Sequence, residues 1–195
     1  MNISKQGGCT WEDVAEFERS YQITFPPDYQ EFLVKYNGGE TPDTSFYFSR
    51  KLESDVRYFY GIGDVKYSVH NAVYAIDFDL PDMLEKGLFP IAEDSFGNTV
   101  LMDVKEHPGT VYFYDHEAWE EGERLQKMTD SFKAFAKRCK SDKIDFYQAT
   151  KPIAQREEEL IARGYGDNIT DGLRRIWQDE IDTFTGMVLE KVKLS

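Results

Sequence analysis

Hydrophobic residues near the start of the chain recur at helical spacing. Trp11, Val14 and Phe17 follow Thr10, which is a favourable N-cap residue. The spacing predicts a first helix over about 11–20, with Trp11 and Phe17 facing the core.

A second helix is predicted directly after Pro26-Pro27, because proline suits the first turn of a helix. Asn37-Gly38-Gly39 ends this helix, because Asn and Gly tolerate the left-handed conformation of a C-cap. Its apolar stripe consists of Tyr29, Phe32, Leu33 and Tyr36.

Aromatic-rich segments further along the chain are typical of strands, namely 44–49 and 56–60. Three more strands are predicted over 88–92, 99–103 and 110–114, joined by short turns. Two consecutive hairpins form a meander, and a meander implies antiparallel pairing.

The remaining pattern is helical. A third helix is predicted over 67–76, and Thr129-Asp130-Ser131 caps another. After residue 141 the strand signals stop, and 155–163 and 172–189 have helical periodicity. We therefore expect an α+β domain over 1–140 and a helical C-terminal extension over 141–195 that packs on it.

Composition narrows the class of partner. The net charge is −13 and the pI is about 4.7, and such a polyanion is repelled by nucleic acids and by anionic membranes. Its field attracts basic partners instead. Cys9 and Cys139 lie too far apart for a CxxC motif, and the N-terminus has no apolar signal segment. We expect a soluble cytoplasmic protein, a monomer or weak dimer.

The negative charge is concentrated between residues 77 and 121, a segment that contains twelve acidic residues and only two lysines. Many of them lie at predicted turns and strand ends, with Phe96 and Trp119 as possible apolar anchors. The alternative is an ordinary solvated surface with Trp119 buried. The predicted partner-binding acidic rim consists of Glu93, Asp94, Asp103, Glu106, Asp115, Glu117, Trp119, Glu120 and Glu121.

Recognisable catalytic chemistry is missing from the sequence. Asp115-His116-Glu117 is the tightest ionisable cluster, but neighbouring residues of a strand point to opposite faces and do not converge on one ion. Ser95 lacks the leading glycine of a nucleophile elbow. We predict no catalytic, cofactor-binding or metal-binding residues and no enzyme, and a hydrolase built on His116 remains the catalytic alternative.

The order of these motifs resembles the SUKH superfamily of Smi/Knr-type proteins. The resemblance covers about residues 10–140. The motifs that carry it are Trp11, Glu18, Phe25-Pro26-Pro27-Asp28-Tyr29, Phe32-Leu33, Tyr36-Asn37-Gly38-Gly39, Phe89-Pro90-Ile91-Ala92-Glu93-Asp94, Gly97-Asn98, Gly109-Thr110-Val111-Tyr112-Phe113, Asp115-His116-Glu117 and Ser131-Phe132.

The resemblance implies a curved, mainly antiparallel sheet packed against helices. It also implies a function, because most bacterial members are thought to be immunity proteins that neutralise polymorphic or contact-dependent toxins, often nucleases. A fungal branch acts as an interaction hub in cell-wall signalling. The expected function is therefore an immunity protein or antitoxin that binds a cognate toxin with a basic surface. The alternative is a regulatory or scaffolding module of the same fold.

Overall fold

A computed structural model describes residues 1–47, 53–70, 80–118 and 121–195. The chain divides into two compact units. The first comprises Met1–Asp142 together with Leu189–Ser195, and the second comprises Lys143–Val188. The family-like motifs of the sequence lie in the first unit.

The first unit is built on antiparallel strands. The described strands are β1 (Asn2–Lys5), β2 (Gly39–Glu40), β3 (Thr44–Tyr47), β4 (Glu53–Asp55), β5 (Tyr58–Phe59), β6 (Leu88–Glu93), β7 (Thr99–Asp103), β8 (Val111–Tyr114), β9 (Leu125–Thr129), β10 (Lys140–Ser141) and β11 (Glu190–Lys191). One sheet has the order β11-β1-β2-β5-β6-β7-β8-β9, and a second has the order β10-β3-β4. The predicted α+β class and the mainly antiparallel sheet are confirmed.

Helices flank these strands and make up most of the second unit. The described helices of the first unit are α1 (Trp11–Tyr21), α2 (Pro27–Tyr36), α3 (Leu80–Glu85), α4 (Glu121–Arg124) and α5 (Phe132–Arg138). Those of the second unit are α6 (Phe146–Ala149), α7 (Ile153–Ala162) and α8 (Asp171–Phe184), with a 3-10 turn at Gly166–Asn168. Most of the helix predicted over 67–76 lies outside the described residues.

The predicted helix caps are present. The Thr10 hydroxyl accepts the Asp13 N–H at 3.1 Å, and the Thr10 N–H donates to the Asp13 carboxylate at 2.8 Å. These two bonds form a capping box. Asn37 ends α2 in the left-handed conformation, with φ 48°.

The predicted burial of Trp11 is wrong, because its side chain is 58% exposed. Val14 is buried, and Phe17 packs against the core. A helix advances about 100° per residue, so positions 11 and 17 lie about 120° apart around the axis. One stripe through both residues therefore cannot face one core.

The predicted meander is confirmed, since β6, β7 and β8 pair in sequence order. The sequence prediction missed four strands of this sheet, β1, β2, β9 and β11. β11 pairs with β1, with Ile3 opposite Glu190. The last seven residues thus return to the first unit, which differs from the predicted helical extension over 141–195.

The core of the first unit is largely aromatic. Phe32 on α2 packs against Phe59 on β5 and Phe132 on α5, with ring centroids 5.2 and 4.9 Å apart. Phe135 on α5 also contacts Phe46 on β3, with ring centroids 5.4 Å apart. Aromatic burial therefore joins two helices to both sheets.

Polar contacts hold the second unit together. The Arg156 guanidinium donates to Glu180 at 2.6 Å and to the carbonyls of Gln148 and Ala149 at 2.7 Å each. Lys151 is buried and donates to both carboxylate oxygens of Glu159 at 2.7 and 2.9 Å. Paired and hydrogen-bonded in this way, the two cations tie α6, α7 and α8 together.

Gly39→Ala is expected to destabilise the first unit by about 3 kcal/mol or more, because overlap and backbone strain add. Gly39 has φ +131°, and a Cβ there would lie 2.1 Å from the Ser4 carbonyl oxygen. The free energy of unfolding, measured by urea denaturation, tests this expectation.

The matched control for Gly39→Ala is Gly8→Ala. A Cβ at Gly8 has no atom within 4 Å, so the expected change is below about 0.5 kcal/mol. Equal unfolding midpoints for the two variants would contradict the close approach of β2 to β1.

Candidate functional site

The turn between β6 and β7 is organised by the buried carboxylate of Asp94. One oxygen accepts the backbone N–H groups of Phe96 and Asn98, each at 2.8 Å. The other accepts the Ser54 hydroxyl at 2.7 Å and the Asn98 side-chain amide at 2.8 Å. Asp94 thus satisfies four donors and fixes the turn at one end of the sheet.

Neighbouring segments are fastened to the same turn. The Asp55 carboxylate of β4 accepts the Ser95 N–H at 3.1 Å and the Ser95 hydroxyl at 2.5 Å. The loop after β8 is attached through His116, whose backbone N–H donates to the side-chain Oδ1 of Asn98 at 3.2 Å. Three segments of the chain therefore meet at this end of the meander.

Phe96 projects from this turn and is 72% exposed. We call the surface around it the Phe96 end, defined by Phe96, Asp55, Glu93, Asp115 and Glu117. Aromatic side chains are enriched in protein–protein interfaces relative to the rest of the surface, so the exposed Phe96 makes this turn a candidate contact surface.

The carboxylates of the Phe96 end differ in how free they are. The Glu117 side chain is 84% exposed, whereas Asp55 and Asp115 are partly buried. Glu93 accepts the Tyr60 hydroxyl at 2.7 Å. Burial, reinforced by this hydrogen bond, raises the pKa of Tyr60, so the phenol stays protonated and remains a donor.

Two basic side chains, Arg57 and His116, lie beside these carboxylates. The Arg57 N–H donates to the Glu93 carbonyl at 2.9 Å, and the Arg57 side chain is exposed. His116 Nε2 lies 4.0 Å from the Glu117 carboxylate, and Nδ1 lies 2.9 Å from Asn98 Oδ1. His116 therefore orients the loop after β8 through its contacts with Asn98.

The predicted acidic rim does not form one surface. Asp103 and Glu106 lie at the opposite end of the meander, about 14 Å away along β7 at roughly 3.4 Å per residue. Successive turns of a meander alternate between the two ends of the sheet, so the β6–β7 and β7–β8 turns cannot adjoin.

Two residues of the predicted rim have a structural role, which differs from the predicted contact with a partner. Asp94 and Asp103 are buried, not exposed. Asp103 accepts the N–H groups of Lys105, Glu106 and His107 at 2.8, 2.9 and 2.9 Å, which closes the β7–β8 turn. Both carboxylates are buried and accept hydrogen bonds from their turns, and Asp94 also accepts one from Ser54 on β4.

The other predicted rim residues have varied positions. Glu93 and Asp115 are partly buried, and Glu106 and Glu117 are exposed. Trp119 and Glu120 lie outside the described residues. Glu121 is the first residue of α4.

Sequence reasoning missed the part that β4 plays in this site. Nothing in the sequence links Ser54 and Asp55 to a turn about forty residues later, because that contact depends on the fold. The role of Asp94 had a local signal, since Asp followed by Ser-Phe-Gly-Asn is typical of an Asx turn.

The cysteines and the acidic clusters offer little reactive chemistry. Burial raises the pKa of Cys9 to about 11 and that of Cys139 to about 12, so both thiols stay protonated. In the part of the chain that the structure describes, no three His, Cys, Asp or Glu side chains are grouped to hold a metal ion. Over the same described ranges, no helix has the length and apolarity to cross a bilayer.

The first unit is an α+β domain with an antiparallel meander that carries acidic side chains at one end. Comparison with known proteins identifies the family of this domain. The SMI1/KNR4 family (SUKH-1) matches residues 8–138, within the first unit. The chain belongs to this family, so the predicted resemblance is confirmed. A similar protein is the SPbeta prophage-derived uncharacterized protein YokK of Bacillus subtilis (strain 168), which is 27% identical over 65% of this chain and 72% of its own length.

Asp94→Ala is expected to lower the free energy of unfolding by about 3 kcal/mol, because it leaves the buried Ser54 hydroxyl and the partly buried N–H groups of Asn98 without their acceptor. Urea denaturation monitored by tryptophan fluorescence measures this loss.

Glu117→Ala serves as the control for Asp94→Ala, since the exposed Glu117 carboxylate accepts no hydrogen bond from the described residues. Its expected effect is within about 0.5 kcal/mol. A larger loss for Glu117→Ala than for Asp94→Ala would refute the division between structural and surface carboxylates.

Proposed function

We propose that this chain is an immunity protein that neutralises a cognate toxin by binding it, without catalysis and without a cofactor. The observation that carries the proposal is the Phe96 end, where an exposed aromatic side chain stands among carboxylates on a turn that Asp94 holds in place. A preformed surface binds with a smaller loss of conformational entropy.

The charge of the Phe96 end determines which partner it suits. Asp55, Asp115 and Glu117 favour a basic surface, and the chain's net charge of −13 steers such a partner towards it. A nuclease toxin has a basic groove for phosphates. Carboxylates at the Phe96 end would occupy the positions of those phosphates.

Family membership supports the same proposal, because the bacterial branch of the SUKH superfamily is thought to consist largely of immunity proteins. The Phe96 end lies within the matched residues 8–138. The recurrent family motifs Asn37-Gly38-Gly39 and Gly97-Asn98 are caps and turns here. They support the scaffold, whereas the charged side chains around Phe96 would select the partner.

Co-expression with the toxin encoded beside this gene tests the proposal. Cells that produce the toxin should survive only when this protein is also present, and the two proteins should co-purify. Equal killing with and without this protein, for every neighbouring toxin candidate, would refute toxin neutralisation. Stable binding to a non-toxin protein in the same experiment would favour the regulatory or scaffolding alternative.

Glu117→Lys is expected to raise the Kd for the toxin at least tenfold, because it puts like charge against a basic surface. Phe96→Ala should weaken binding by a similar factor through loss of the apolar anchor. Surface plasmon resonance at low and high salt measures both variants, and the effect of Glu117→Lys should shrink at high salt.

The matched control for Glu117→Lys is Glu106→Lys. Glu106 is also exposed and the change in net charge is the same, but Glu106 lies at the other end of the meander. Its Kd should stay within about twofold of the original, since only long-range steering changes. Equal weakening by the two lysine variants would remove the Phe96 end from the interface.

A further inference from the structure

A cavity of about 610 Å³ lies in the first unit, where α5, β10 and the last strand border one another. Lysines from three segments line it. They are Lys133 and Lys137 on α5, Lys140 on β10, Lys191 on β11, and Lys193 just after β11. The lining includes no aspartate or glutamate.

This concentration of positive charge runs against the composition of the chain. Five of the twelve lining residues are lysines, although acidic residues outnumber Lys and Arg by 36 to 23 overall. Like charges around one cavity repel one another, and a bound anion would remove that repulsion. The arrangement therefore favours a negatively charged ligand.

Many lysines outside the cavity are neutralised by a carboxylate, whereas the cavity lysines have no aspartate or glutamate partner among the described residues. Five other lysines form ion pairs of 2.5 to 2.7 Å with a carboxylate, namely Lys5, Lys35, Lys66, Lys127 and Lys151. Within the described residues, Lys137, Lys191 and Lys193 have no carboxylate at ion-pair distance. Their ammonium groups are therefore available to a ligand.

The other two cavity lysines are bound only to backbone oxygens. Lys140 Nζ donates to the Lys137 carbonyl at 3.0 Å, and Lys133 Nζ donates to the backbone oxygen of Ser195. The Lys137 peptide carbonyl is a neutral acceptor and does not compensate the Lys140 ammonium charge. Lys140 therefore still contributes to the positive potential of the cavity.

The size and remaining lining of the cavity describe the ligand further. A volume of about 610 Å³ is typical of a small-molecule site. Ala136, Val192 and Leu194 supply apolar surface. The Cys139 thiol also lines the cavity, and burial raises its pKa to about 12, so it offers no nucleophile there.

We propose that this cavity binds a small molecule that carries several negative charges, of the phosphate or polyphosphate class. Lysines act as point charges towards phosphate oxygens, and ammonium groups from three segments suit an anion with more than one charged group. The site is separate from the Phe96 end, whose carboxylates would repel the same ligand.

Calorimetric titration of the full chain with inorganic tripolyphosphate, in a metal-free buffer, tests the proposal. We expect a Kd below about 1 mM at low salt, the order of magnitude that several exposed charge pairs provide. The Kd should rise steeply with salt, because the contacts are electrostatic. A parallel titration with ATP distinguishes the source of the phosphates. If ATP binds more tightly, the apolar surface of the cavity contacts an organic group of the ligand. If tripolyphosphate binds more tightly, the ligand is an inorganic polyphosphate.

The triple variant Lys137→Gln, Lys191→Gln, Lys193→Gln should lose at least tenfold in affinity for tripolyphosphate. The control is Lys86→Gln, Lys105→Gln, Lys143→Gln, which changes the net charge equally at exposed lysines that do not line the cavity. The control should bind within twofold of the original protein. Unchanged unfolding midpoints for both variants show that each retains the fold.

Three outcomes would overturn the proposal. The first is no heat of binding with either tripolyphosphate or ATP, and the second is equal loss of affinity in the two triple variants. The third is an oligoglutamate peptide that binds as tightly as tripolyphosphate through the same three lysines. That result would make the cavity a site for an acidic protein segment.

Discussion

The Asp94 carboxylate is the interaction on which the proposed binding surface depends. It accepts four hydrogen bonds from Ser54, Phe96 and Asn98 while fully buried. A buried charge is tolerated only when its oxygens are satisfied, so the position of every donor is constrained. Phe96 is exposed because hydrogen bonds to the Asp94 carboxylate fix the backbone of the turn on its buried side. Asn98 also hydrogen-bonds His116, which fixes the loop after β8 against the same turn.

The alternation of turns in an antiparallel meander imposes the second constraint. The β6–β7 turn and the loop after β8 therefore lie at the same end of the sheet. The β7–β8 turn, which contains Asp103, lies at the other end of the same strands. Two turns with similar acidic sequences therefore belong to different surfaces. At each turn one carboxylate is buried as a structural acceptor, and only the remaining acidic side chains are presented to solvent.

Charge is segregated within the first unit. Carboxylates surround Phe96 at one end of the meander, whereas five lysines line the cavity beside β11. A protein with a net charge of −13 needs few cations for solubility, so their collection at one cavity suggests a use distinct from that of the acidic surface. The return of the chain after the second unit is essential to this arrangement, because Lys191 and Lys193 reach the cavity only when β11 pairs with β1.

Local sequence determined the elements whose signals are local. Caps at Thr10 and Asn37, the meander and the family motifs were all predictable, because capping, turn chemistry and strand alternation act over a few residues. Tertiary structure decided which carboxylates are buried, which turns share an end, and where the last strand pairs. These depend on contacts such as Ser54 with Asp94 and Ile3 with Glu190, between residues far apart in the chain. Composition could locate the acidity, but only packing could divide it into structural and exposed groups.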